Sequence, residues 1–318
     1  MGKFEVDKQN RLDKALSSHL DISRNQVEKL IKESMVSVND KVVTKTSYKV
    51  AIGDKIEYEF IQASIKEPVE IDFDVEVLYE DEYLLIVNKP SGLVVHPAPS
   101  VKEATLVDWL IKRGISLSTI SGEERHGIVH RIDKETTGAL VIAKDNQTHQ
   151  KLSEQLQDKS MGRYYLAVVD LPLKDDIVVD KPIARNPKNR LKMDIIPDGK
   201  SAKSAFVKLT TSDQNIELIS AKLYTGRTHQ IRVHLNSLSR HILGDELYGY
   251  KPKKVKIPRV FLHAYILYLT HPATGKKLEV VAPLFDDMRE FCANSFDSDE
   301  LSRVLDANYI KNRFKSIS

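Results

Sequence analysis

Residues 126–145, read as HGIVHRIDKETTGALVIAKD, constrain the fold more than any other stretch of the chain. Ile128 and Val129 make a short β-branched run, and Ala139 to Ala143 is an unbroken apolar run of buried-strand type. Between them stand charged residues, two threonines and Gly138, the composition of a loop. The pattern predicts strands buried in a sheet with a polar turn between them, a place where a rigid scaffold presents reactive groups. Asp133 lies in that turn, close behind His130 and Arg131. An isolated loop Asp ordinarily caps a backbone amide; the basic neighbours here point to chemistry as well.

The rest of the chain fits such a sheet. From residue 72 onward, apolar runs predict strands at 75–77, 84–87, 139–143, 164–169, 205–210, 216–223, 260–269 and 278–281. Helical spacing predicts helices at 105–112, 147–157 and 228–237, the last with Ile231, Leu235 and Leu238 as its apolar stripe and Thr228 as N-cap. Many strands with few helices predict an α+β domain on a long mixed sheet, residues 72–318, whose charged tail holds a last helix near Leu301 and Val304. Residues 62–71 contain Pro68, lack periodicity and read as a linker. Ahead of them, residues 1–61 form a smaller α+β unit. Leu12, Leu16 and Leu20, then Val27, Leu30 and Ile31, recur at helical spacing, with Ser23 as the second helix's cap. Short strands follow around Val36 and Val42, parted by Asn39-Asp40, and an alternating strand runs from Ile56 to Phe60.

Composition narrows the class. A chain of 318 residues, 41% hydrophobic and 29% charged, has room for two globular domains. Its net charge of +3 does not by itself indicate a nucleic-acid partner, so any phosphate-binding surface must come from clustering. The single cysteine, Cys292, excludes an internal disulfide and a cysteine-based zinc cluster. The N-terminus lacks the apolar core of a signal peptide, and no apolar run approaches the ~20 residues that span a bilayer. The expectation is a soluble cytoplasmic protein, monomeric and without membrane contact.

Further elements follow in a fixed order. They are Asn88-Lys89-Pro90-Ser91-Gly92, then His130-Arg131-Ile132-Asp133 with Glu135-Thr136-Thr137-Gly138, then Arg163-Tyr164-Tyr165-Leu166-Ala167. After these come Gly226 to His234 (GRTHQIRVH), Leu243-Gly244-Asp245, Leu262-His263-Ala264 and His271-Pro272. Over residues 10–285 this succession resembles the RluA/RluD group of pseudouridine synthases, with Arg163 where that group usually carries Lys. The RluD-like branch fits best, and its usual target is large-subunit ribosomal RNA. The first unit resembles the S-four-like RNA-binding fold, with Ser34 in place of a usual Gly and Asn39-Asp40 in place of an Asn-Gly turn. The resemblance implies a pseudouridine synthase fold, with a mainly antiparallel mixed sheet and a central cleft, and RNA as the partner.

Isomerising uridine to pseudouridine breaks a carbon–nitrogen glycosidic bond, turns the uracil and rejoins it through carbon 5. There is no redox change, so no cofactor is expected, and neither GxGxxG nor a Walker loop occurs. No metal site is expected either: His126 and His130 flank a strand-like segment, and His229 and His234 lack an adjacent carboxylate. The resemblance gives Asp133 the central role, whether it attacks the sugar, attacks the base or removes the 2′ proton. Arg232 is the candidate cation beside it and Arg227 the rival. Tyr164 and Tyr165 alternate to opposite sheet faces, so only one can line the cleft, and the resemblance selects Tyr165 as the stacking residue. Arg131, His130, Arg227 and Lys89, with Arg24 and Lys29 on the first unit, are the expected RNA contacts. A non-catalytic RNA-binding protein on the same scaffold is the alternative, and a nucleoside hydrolase a third.

Overall fold

A computed structural model describes residues 2–20, 24–59, 70–97, 101–118, 126–251 and 257–317, without the side chains of residues 24–26 and 29. The chain divides into two compact units, the first ending at Glu70 and the second beginning at Ile71. Ser23, the side chains of Arg24 and Lys29, and most of the expected linker lie outside the described residues.

The first unit runs β1 (Gly2–Glu5), β2 (Asn10–Arg11), α1 (Leu12–Leu20), α2 (Arg24–Lys32), β3 (Val36–Val38), β4 (Lys41–Val42), β5 (Lys49–Val50) and β6 (Lys55–Tyr58). Leu12 and Leu16 of α1, and Val27 and Ile31 of α2, are fully buried, as their four-residue spacing requires. They pack on an antiparallel sheet of order β1-β6-β3-β4. The Asn39-Asp40 turn closes with positive φ at both residues, 49° and 64°, the geometry of a two-residue hairpin. The Asn39 side chain ties it down, donating to Asp54 and accepting from the Lys55 amide. Ser34, the stand-in for a glycine, also sits at positive φ, 63°.

The second unit continues with β7 (Glu76–Glu80), β8 (Leu84–Lys89), α3 (Leu106–Lys112), β9 (Thr137–Ala143), α4 (Asn146–Asp158) and β10 (Gly162–Val169). Next come β11 (Ile177–Asp180), β12 (Ile183–Arg185), β13 (Met193–Ile195), β14 (Lys203–Thr211), β15 (Glu217–Leu223) and α5 (Gln230–Asn236). It ends with β16 (Leu262–Thr270), β17 (Lys277–Val281), α6 (Asp286–Ser295), α7 (Ser298–Val304) and α8 (Ala307–Arg313). Its main sheet has the order β11-β14-β15-β10-β16-β9-β8-β7, with β17 also on β16. All pairings are antiparallel except β9 with β16, which run parallel through only His263↔Thr137 and Ala264↔Gly138. Strand β16 therefore forks, pairing β9 at its start and β17 beyond it.

The apolar runs became the central strands, with Ala139 to Ala143 wholly buried. The helix at 105–112 is opened by a Thr105–Asp108 capping box. Thr228 is not the cap of α5: His229 takes that position in a left-handed conformation, without a side-chain cap bond. Where one tail helix was expected, three form, α7 and α8 capped by Asp297 and Asp306. Their Val304 and Ile310, with Met288 of α6, are buried in the core of the main sheet. Among the described residues no helix is long and apolar enough to cross a membrane.

Candidate active site

The loop that carries Asp133 enters β9 at its parallel junction with β16. Gly138 is obligatory there: its φ is +110°, and a Cβ would fall 2.3 Å from the Ala264 carbonyl oxygen. Beside it, Arg259 Nη1 lies 3.4 Å from Thr137 Oγ1, which is 2.8 Å from His263 Nδ1, while His263 Nε2 lies 3.1 Å from the Ala282 carbonyl. A carbonyl can only accept, so Nε2 carries a proton. Burial pushes the His263 pKa down to about 4.

The Asp133 loop is held from beneath by the Asn-Lys-Pro-Ser-Gly segment. Lys89 has no exposed surface, and its ammonium donates to the carbonyls of Pro90, Leu93 and Lys134. Ser91 Oγ donates to the Glu135 carbonyl, and the Gly92 amide to that of Lys134. Lys89, expected to contact RNA, is thus an internal brace: a buried ammonium shared by three carbonyls cannot reach a phosphate. Desolvation lowers its pKa to about 7.

Asp133, Tyr165 and Arg232 line one cleft, together with Arg131, Arg163, Arg227 and His229. Asp133 Oδ2 lies 3.7 Å from Arg232 Nη1 and 4.0 Å from His229 Nε2. Arg232 has a closer partner, however. Its Nε and Nη2 each donate at 2.7 Å to the carboxylate of Asp245, and its guanidinium lies 4.9 Å above the Tyr248 ring. Held by this fork, Arg232 presents its remaining nitrogen to Asp133. Asp245 owes its position to Gly244, where a Cβ would meet the Arg259 carbonyl oxygen at 1.9 Å.

Helix α5 is fastened at its entrance. Gln230 accepts from Thr225 Oγ1 and the Arg227 amide and donates to the Lys203 carbonyl and Ser204 Oγ. His229 is at φ 56°, a costly conformation for a residue with a side chain, and its Nδ1 is 2.9 Å from the Tyr248 hydroxyl. Burial pushes its pKa down, against the opposing pull of Asp133.

Tyr165 lies in β10 with its ring buried in the cleft wall; burial raises the phenol's pKa, so it stays protonated at neutral pH. Arg131 and Arg227 are exposed at the cleft's mouth, Arg227 with its Nε on the Ser201 carbonyl. His130 Nδ1 accepts from Arg163 Nη1 at 2.7 Å, which occupies it inside the protein. Burial and that guanidinium hold its pKa well below the ordinary range. Reading the sequence overlooked the roles of Arg163, His229, Asp245 and Tyr248; their places inside the ordered motifs were the available signal. Among the described residues, no group of three His, Cys, Asp or Glu side chains converges as metal ligands would.

This geometry can be set beside known proteins. Residues 83–237 match the profile of the RNA pseudouridylate synthase family, and residues 10–56 that of the S4 domain. A Helicobacter pylori (strain J99) protein, named only as an RNA pseudouridine synthase, is 47% identical over 96% of this chain and 95% of its own length. The chain belongs to the RNA pseudouridine synthase family. As a pseudouridine synthase it is an isomerase acting on RNA. Zymomonas mobilis ribosomal large subunit pseudouridine synthase D is 38% identical over 88% of this chain and 92% of that protein. The solved structure of human RNA pseudouridylate synthase domain containing 4 has a TM-score of 0.53 and 26% identity, covering 69% of this synthase and 92% of that chain. Human RNA pseudouridylate synthase domain containing 1, at 22% identity and a TM-score of 0.56 over 74% of this synthase and 95% of that chain, shares the fold.

Proposed function

We propose that this synthase isomerises particular uridines of large-subunit ribosomal RNA, using Asp133 on a uridine turned out of its stack. The observation that carries the reading is one carboxylate, Asp133, in a cleft that four arginines also line, set 3.7 Å from an anchored guanidinium. Every route to pseudouridine needs a carboxylate at the reacting centre, and Arg232 sets a positive charge 3.7 Å from this one. The bond from C1′ to N1 breaks, the uracil turns, and C1′ bonds to C5; the C5 proton leaves and N1 takes one up. Tyr165 offers the detached ring a face to rest on and a phenol that can donate. Arg131 and Arg227 at the mouth suit the phosphates on either side, and eversion costs least where the RNA is already unpaired. The relatives named ribosomal large subunit pseudouridine synthase D support the choice of RNA. The S4 unit, with Arg24 and Lys29 on α2, is assigned to holding RNA outside the cleft.

The test is pseudouridine mapping of ribosomal RNA from a strain lacking the gene. Specific pseudouridines should vanish, return with the wild-type protein, and stay absent with Asp133→Asn. A map identical in all three strains would sink the proposal and favour a protein that only binds.

A further inference from the structure

A second cavity of about 350 Å³ adjoins the catalytic cleft, a size within the ~300–1,000 Å³ range of ligand pockets. Arg131, Arg163, Leu223 and Gly226 border both spaces, so the two adjoin. The remaining wall offers Lys159, Lys222 and the rings of Tyr224 and Tyr268, and no Asp or Glu. Lys222 makes no ion pair among the described residues; its ammonium lies 5.6 Å over the Tyr164 ring and 5.2 Å over that of Tyr224. Arg163 gives one Nη to His130, but its buried Nε has no partner. A buried guanidinium and a half-buried ammonium answered by no carboxylate are costly unless an anionic ligand joins them. Burial also lowers the Lys222 pKa, as an unanswered ammonium should show.

We infer that this cavity holds the nucleotide next to the target uridine on the same RNA strand, with its phosphate at Lys222 and Arg163 and its base against Tyr224 or Tyr268. Aromatic faces accept any base, while the cations require a phosphate, so the site measures strand path more than sequence. This rests on the cleft being the uridine site.

The test uses the full-length protein. Tritium release from [5-³H]uridine-labelled large-subunit ribosomal RNA is followed for wild type, Lys222→Gln, Tyr224→Leu and Tyr224→Phe. Lys222→Gln and Tyr224→Leu should each raise KM about ten-fold with a much smaller change in kcat, and Tyr224→Phe, which keeps the ring, should recover most of the KM lost in Tyr224→Leu. An unchanged KM in both variants overturns the inference. A second arm irradiates Asp133→Asn bound to a 4-thiouridine-substituted transcript of the same RNA. Cross-links at the peptide holding Lys222 and Tyr224 support the site, and their absence from it overturns the site. If wild type releases no tritium, the assignment of the cleft fails, and the cross-link still reports separately on the second cavity.

Discussion

At the scale of single residues, the proposed chemistry turns on the arrangement around Arg232. One guanidinium serves two carboxylates unequally, clamped by Asp245 and offered at longer range to Asp133. Under that proposal Asp245 is a positioning residue that acts through Arg232. Asp245→Asn keeps the shape but weakens the clamp, and kcat should fall about 10–100-fold with little change in RNA affinity. Asp245→Ala strands a buried cation and should also cost about 3–5 kcal/mol of stability, read by chemical denaturation. The motifs named Asp133, Tyr165 and Arg232 as candidates because their order along the chain is distinctive. They included Asp245 but could not pair it with Arg232, since the sequence does not say which charges face one another. Lys89 misled for a related reason: a lysine in a polar motif has the composition of a surface contact, and only the three converging carbonyls make it internal.

Among the elements, the brace under the Asp133 loop is the one to probe. Lys89→Met fills similar space but leaves three carbonyls without their donor. We expect a loss of about 2–4 kcal/mol in denaturant unfolding, with activity falling further than stability explains, because the Asp133 loop loses its support. Arg substitution should not rescue it, since the fork is too wide for the enclosed site. The long strands were legible because the short length, β-branched content and flanking turn residues of their apolar runs favour a buried strand over a buried helix. Strands β11 to β13 were not: they are only three or four residues long and partly exposed. The helices after residue 286 hid in a charged tail whose Asp caps went unread. Thr228 failed as a cap because the chain turns left-handed at His229, aiming that imidazole at Asp133 instead.

For the molecule as a whole, the neutral His263 at the middle of the sheet sets a dependence on acid. Folded, it remains unprotonated until about pH 4; unfolded, it takes a proton near ~6.5. Below that value the unfolded chain binds more protons, so stability drops as the pH is lowered through this window, and above it the contribution is complete. The loss should reach about 3 kcal/mol near pH 4. Melting curves of wild type and His263→Gln should converge as the pH is lowered, and parallel curves from pH 7 to 4 would exclude His263 as the cause. The L-H-A element carried this histidine in plain view, but its partners come from Thr137 and Ala282, too far along the sequence for any local pattern to connect.

The short parallel seam between β9 and β16 has one more consequence. Asp133 hangs from one leaf of the sheet, while Tyr165 and Arg232 stand on the other, and only two residue pairs stitch the leaves together at the seam. These three cleft residues straddle the spine of a book, so a small swing of either cover changes the gap between carboxylate and guanidinium. A nucleotide gripped by both covers would act as a clasp.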